Sequence, residues 1–200
     1  MIRRAGVLLA LGALSGATTE LAIFHRPFHL LAIFAGVWVV GAGWIGRRAD
    51  APEAAAVHAA AFLTGMVCAF YLTVLGLTSD LRGTLWVFWL AVALTGGPLL
   101  GLAGHLTRRA DAWAGLAAAG LAGLLVAEAV RLLLGYSTQY RLGYALFNLA
   151  GAVLVLGWLP RGARRTAVAA FLPALAVGVV LFITIPVLVY GGSHLPFQVR

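Results

Sequence analysis

Long apolar runs separated by short polar breaks make up almost the whole chain. Seven runs stand out: Ala5 to Phe24, Phe28 to Ile45, Ala54 to Gly76, Thr84 to Leu106, Ala112 to Leu134, Gly143 to Leu159 and Ala167 to Tyr190. Turn and helix-start residues mark the breaks, as in His25-Arg26-Pro27, Asp50-Ala51-Pro52-Glu53, Thr78-Ser79-Asp80, Asp111, Tyr136-Ser137-Thr138 and Pro160-Arg161-Gly162. A run of about 18 to 23 apolar residues is what a helix needs to cross a hydrocarbon core of about 30 Å. A closed barrel would instead need short segments of strict alternation, which are absent here. The pattern therefore predicts an all-α polytopic membrane protein with seven transmembrane helices, in one integral membrane domain over residues 1–200. None of the breaks leaves room for an extramembrane domain.

Composition agrees. The chain is 62% hydrophobic and 10% charged, with a mean hydropathy of +1.00, too little polar residue to cover the surface of a soluble domain. Arg3 and Arg4 ahead of an apolar stretch resemble a secretory signal, but Thr18, Thr19 and Glu20 lead into a further apolar tract, so no cleavage is expected.

Charge adds a direction. In a soluble protein a net charge of +8 would suggest nucleic acid, yet these arginines sit in short loops beside apolar runs. On the seven-run map one side holds nine, Arg3, Arg4, Arg47, Arg48, Arg108, Arg109, Arg161, Arg164 and Arg165, and the other holds four, Arg26, Arg82, Arg141 and Arg200. Positively charged loops remain in the cytosol. The expectation is a plasma (inner) membrane protein with its amino terminus cytoplasmic and its carboxyl terminus outside, whose first partner is the lipid bilayer.

Internal similarity is worth testing in so regular a chain. Ala35-Gly36 and Trp44-Ile45-Gly46-Arg47 in the second run match Ala150-Gly151 and Trp158-Leu159-Pro160-Arg161 in the sixth; Ala60-Ala61-Phe62-Leu63 matches Ala169-Ala170-Phe171-Leu172. Two parallel three-helix repeats, residues 1–76 and 112–190, joined by a central fourth helix at residues 84–106, would follow. Chance matches in an alanine- and glycine-rich chain are the competing explanation.

Ionisable groups inside apolar runs are the first candidates for chemistry, because each costs about 2.5 to 3.5 kcal/mol at a helix centre. Glu20, behind Thr18 and Thr19, and Glu128, three residues before Arg131, both lie toward the outer ends of their runs. Together with Asn148 they are candidates to line a pathway for a small polar solute, cation or proton; otherwise both carboxylates reach the headgroup region, Glu128 neutralised by Arg131. Gly96, Gly97, Pro98, Gly101 and Gly104 make the fourth run either a hinge or a closely packed helix, with a kink or unwound turn expected near Leu94 and Thr95.

Other chemistries fail on residue type. No lysine is present for a retinal Schiff base. Serine-protease, zinc-protease, Walker and dinucleotide fingerprints are missing. Cys68 stands alone, so no cysteine-built metal cluster is expected. His58 and His105 lack a third ligand, and Pro27 interrupts the pair His25 and His29. Neither metal nor cofactor is expected, nor is enzymatic activity, since no nucleophile and base stand together.

The residues that carry a resemblance are Gly12, Gly16 and Thr18, then Ala35-Gly36-Val37-Trp38, the stretch FWLAVALTGGPLLGLAGHLTRR, and Ala127-Glu128. With these the chain resembles an uncharacterised domain-of-unknown-function family of small integral membrane proteins from high-G+C bacteria. The likeness covers roughly the first 135 residues, is most specific from Phe88 to Gly104, and departs from the family pattern at His25 to Leu31. It implies the membrane class and the helix pattern, and no activity. Two functions remain in view: a small-solute permease or ion- or proton-coupled carrier, and a non-catalytic subunit that packs against a copy of itself or another membrane protein.

Overall fold

A computed structural model describes residues 2–23, 35–78, 83–135 and 141–190. Within them run seven helices: α1 (Ile2–Ile23), α2 (Ala35–Arg47), α3 (Pro52–Thr78), α4 (Gly83–Leu106), α5 (Ala112–Gly135), α6 (Arg141–Gly157) and α7 (Arg164–Tyr190). Their starts follow local chemistry. Pro52 opens α3, where a missing N–H leaves nothing unpaired. Asp111 precedes α5 and its Oδ1 accepts the Ala114 N–H at 3.3 Å, an N-cap.

The expectation of seven transmembrane helices needs correction. Among the described residues four helical stretches are long and apolar enough to cross a membrane: Pro52–Leu77, Leu85–Leu106, Ala112–Leu134 and Arg161–Leu181. The protein is a multi-pass helical membrane protein on that basis. Length is the physical reason for the difference. Helix α6 has 17 residues, which at a rise of 1.5 Å per residue reach about 26 Å, short of a core of about 30 Å, and α2 is described only from Ala35. In α1 the apolar stretch is bounded by Arg3 and Arg4 at one end and Thr18, Thr19 and Glu20 at the other. Residues 28–34 of the second run, the turn with His25, Arg26, Pro27 and His29, and Arg82, Tyr136, Tyr140 and Arg200 lie outside the described residues.

Close contacts give the helix directions. Gly12 and Gly16 of α1 meet the backbone at Phe62 and Met66 of α3, a constant offset of fifty residues, so these helices run parallel. Gly115, Gly123 and Ala127 of α5 meet Thr166, Ala174 and Gly178 of α7 at an offset of fifty-one, also parallel. By contrast α4 runs antiparallel to α3, through Gly97 on Ala60 and Gly101 on Ala55, and crosses α2 at Gly104 on Gly43, the two helices ending together where Arg47 reaches Thr107. Helices α2 and α6 lie parallel, with Gly36 on Asn148 and Gly151 on Val40.

Helix α5 is the axis. It packs on α7, α6, α4 and α2, and 56% of its span is buried against 11–22% for the other three. Two cores result: Leu121, Leu125, Val155 and Leu159 around α5 and α6, and Ala42, Ala59, Leu63, Val67 and Ala93 where α2, α3 and α4 meet. Helix α2 borders both.

Gly104→Leu places a branched side chain against the Gly43 carbonyl, where no flexible neighbour can yield. Overpacking costs about 1–3 kcal/mol, so the variant should lose thermal stability in detergent, while Gly120→Leu, with open space at its Cβ position, should unfold with the parent.

Candidate functional site

On the buried face of α5, one turn from Leu125 and Leu132, Glu128 is 1% exposed. The i, i+3 spacing brings Arg131 over it, and two nitrogens of one guanidinium edge engage: Nε donates to Oε2 at 2.9 Å and Nη2 to Oε1 at 2.6 Å. A forked pair of this kind is the strongest way to hold a carboxylate in apolar surroundings. Asn148 of α6 is fully buried nearby in the α2–α5–α6 packing; its Nδ2 donates to the Tyr144 carbonyl at 3.2 Å. Its Oδ1 is buried with no hydrogen-bond partner and sits where a methyl on Gly36 would stand, a position Leu125 also lines.

Thr18, Thr19 and Glu20 occupy the last turns of α1. The Thr18 hydroxyl is spent on its own helix, donating toward the carbonyls of Leu14 at 2.9 Å and Ser15 at 3.0 Å. Thr19 and Glu20 are each 5% exposed, and Glu20 Oε2 is buried without a partner. Helices α1 and α5 both start at the end where α2 and α4 finish, α1 through Arg4 on Asp50 and α5 directly after α4, so Glu20 and Glu128 both lie toward the far end of the molecule. They do so on different helix groups: α1 packs chiefly on α3, and α5 chiefly on α7 and α6.

In the glycine-rich stretch α4 is continuous helix through Pro98. No unwound turn interrupts it, and the Thr95 hydroxyl donates to the Ala91 carbonyl at 2.8 Å. Gly97, Gly101 and Gly104 lie against α3 and α2, whereas a methyl on Gly96 would meet only Val92 of the same helix.

A second polar centre, at the opposite end, was not visible as such in the sequence. Arg47 at the end of α2 donates to Thr107 Oγ1 at 2.9 Å and to the Trp158 carbonyl at 3.2 Å, tying α2 to the ends of α4 and α6. Arg108 Nη1 at 2.9 Å and His105 Nδ1 at 3.2 Å converge on the Ala49 carbonyl just beyond α2. Arg47 and Arg48 lie over the rings of Trp158 and Trp44, at 5.7 and 4.6 Å. Burial, and after it the charges of Arg108 and Arg48, pull the Arg47 guanidinium below its usual pKa. In the sequence the doublets Arg47-Arg48 and Arg108-Arg109 are the signal for this centre. Among the described residues no three histidine, cysteine, aspartate or glutamate side chains come together.

A protein-family model described as a family of unknown function, DUF6518, matches residues 1–191. No curated protein and no solved structure matches the chain.

Arg131→Ala strands a buried carboxylate and is expected to cost about 3–5 kcal/mol, read as a lower unfolding midpoint in detergent. Glu128→Gln combined with Arg131→Gln removes both charges and should cost clearly less; equal losses would show that the pairing contributes nothing specific.

Proposed function

The chain belongs to the DUF6518 family, and from its own residues we propose that it is a small-solute permease or an ion- or proton-coupled carrier of the plasma membrane. The observation that carries this reading is the ion pair of Glu128 with Arg131, 1% exposed at its carboxylate within the most buried span. An ionisable pair held inside a span is expensive, and marks a pathway or relay more readily than a structural role. Glu128 is the group that binds the proton or cation, and Arg131 is the counter-charge it exchanges. Asn148, with its unpartnered Oδ1, and Thr18, Thr19 and Glu20 at the same end of the bundle supply further polar lining. Gly97, Gly101 and Gly104 of α4 form the seam with α3 and α2. The equal-handed pairings of α1 with α3 and α5 with α7, at offsets of fifty and fifty-one residues, support a duplicated three-helix unit on either side of α4.

Orientation belongs to the same proposal. The arginine-rich end, with the start of α1, faces the cytoplasm, and since α7 runs the same way as α1 the carboxyl terminus lies outside.

The alternative is a non-catalytic membrane subunit or scaffold, assembled with itself or with another membrane protein. What favours it is that Glu20 and Glu128 sit on separate helix groups rather than across one shared interface.

In liposomes under an imposed pH gradient, read with an entrapped pH-sensitive dye, the parent protein should conduct protons and Glu128→Gln should abolish the flux. Unchanged flux in that variant would remove the carrier reading and leave the subunit. A reporter fused after Arg200 should be active outside the cell; a cytosolic reporter would reverse the orientation.

A further inference from the structure

At the arginine-rich end, the first turns of α1, the last turn of α2 and the first turns of α3 enclose an open cleft of about 590 Å3. Arg3 and Arg4 line it from α1, Arg48 from the turn after α2, and His58 from α3. Its walls are apolar, with Val7 and Leu8 on one side and Ile45 on the other. Arg48 is held at the mouth by its stacking on Trp44. His58 is 5% exposed, and its Nε2 is buried without a hydrogen-bond partner. Leaving a buried ring nitrogen unpaired is costly unless something supplies an acceptor or donor.

Three guanidinium groups call for an anion that offers several acceptor oxygens, as a phosphodiester does, which Arg recognises through its planar fork. The walls call for an apolar chain attached to that anion. We propose that this cleft binds the phosphate headgroup of an anionic phospholipid, with the upper part of an acyl chain along Val7, Leu8 and Ile45. In the bound state His58 Nε2 donates to a phosphate oxygen. Free phosphate shares the headgroup chemistry but leaves the apolar walls wet. The bridge from Arg4 to Asp50, 3.0 Å long between largely exposed side chains, is a weak surface pair that a phosphate oxygen can displace. This inference stands apart from any transport activity, because it concerns the other end of the bundle.

The full chain, purified in mild detergent, is tested by native mass spectrometry with phosphatidylglycerol, phosphatidylcholine and inorganic phosphate offered separately at equal concentration. Phosphatidylglycerol should bind one copy per chain about tenfold better than phosphatidylcholine, and inorganic phosphate should not displace it. Arg3→Gln with Arg48→Gln, and separately His58→Phe, should each lose that preference, whereas Arg164→Gln with Arg165→Gln, on the same face but outside the cleft, should keep it. Equal binding of the two lipids, displacement by inorganic phosphate, or an equal loss in the Arg164 and Arg165 control would overturn the proposal. If the cleft variants do not fold, the three-ligand comparison on the parent protein decides the matter.

Discussion

Helices in this protein approach one another at backbone distance. Gly12 and Gly16 lie on α3, Gly101 on α3, Gly104 on α2, and Gly115 and Gly123 on α7, each at a place where a methyl group would collide with a neighbouring main chain. Lipid tails are as apolar as leucine, so apolar side chains gain little by leaving lipid for protein, and contact between spans depends on close packing. Small residues make that contact area available. The remaining features of the molecule follow from where those contacts fall.

The contacts fix the directions of the helices and make α5 the element with most neighbours. More than half of that helix is covered by its neighbours, and Glu128 lies on the covered side. Glu128 is 1% exposed there, and its charge is balanced by Arg131 one turn along the same helix. Glu20 reaches a comparable depth by a different route, through the packing of α1 on α3, and its Oε2 is without a partner. One carboxylate is neutralised within its own helix while the other is left to its surroundings, which is a chemical asymmetry between two groups at the same end of the bundle.

The opposite end is organised by cations. Arg47, Arg108 and His105 satisfy carbonyl groups left over where α2 and α6 terminate, and Arg47 and Arg48 lie against tryptophan rings. These arginines both mark a side of the membrane and act as structural ties between helix ends. Arg3, Arg4 and Arg48 instead border an open, largely apolar cleft with a buried histidine on its wall.

Helix positions were legible in the sequence, because an apolar run between turn residues reports directly on local conformation; α4, expected over Thr84 to Leu106, spans Gly83–Leu106. The i, i+3 pairing of Glu128 and Arg131 was legible for the same reason, since both partners lie on one turn of one helix. Span length was not. The run from Gly143 to Leu159 becomes the 17-residue α6, shorter than a crossing of the hydrocarbon core needs. Nor could the sequence reveal that α1 pairs with α3 and α5 with α7, that Asn148 faces Gly36, or that His58 lines a cleft with arginines from two other elements. Periodicity and composition record the conformation of neighbouring residues, whereas these contacts join residues on different helices, most of them about fifty or more positions apart. Such contacts are chosen by which small-residue faces fit together, a choice made only when the helices pack.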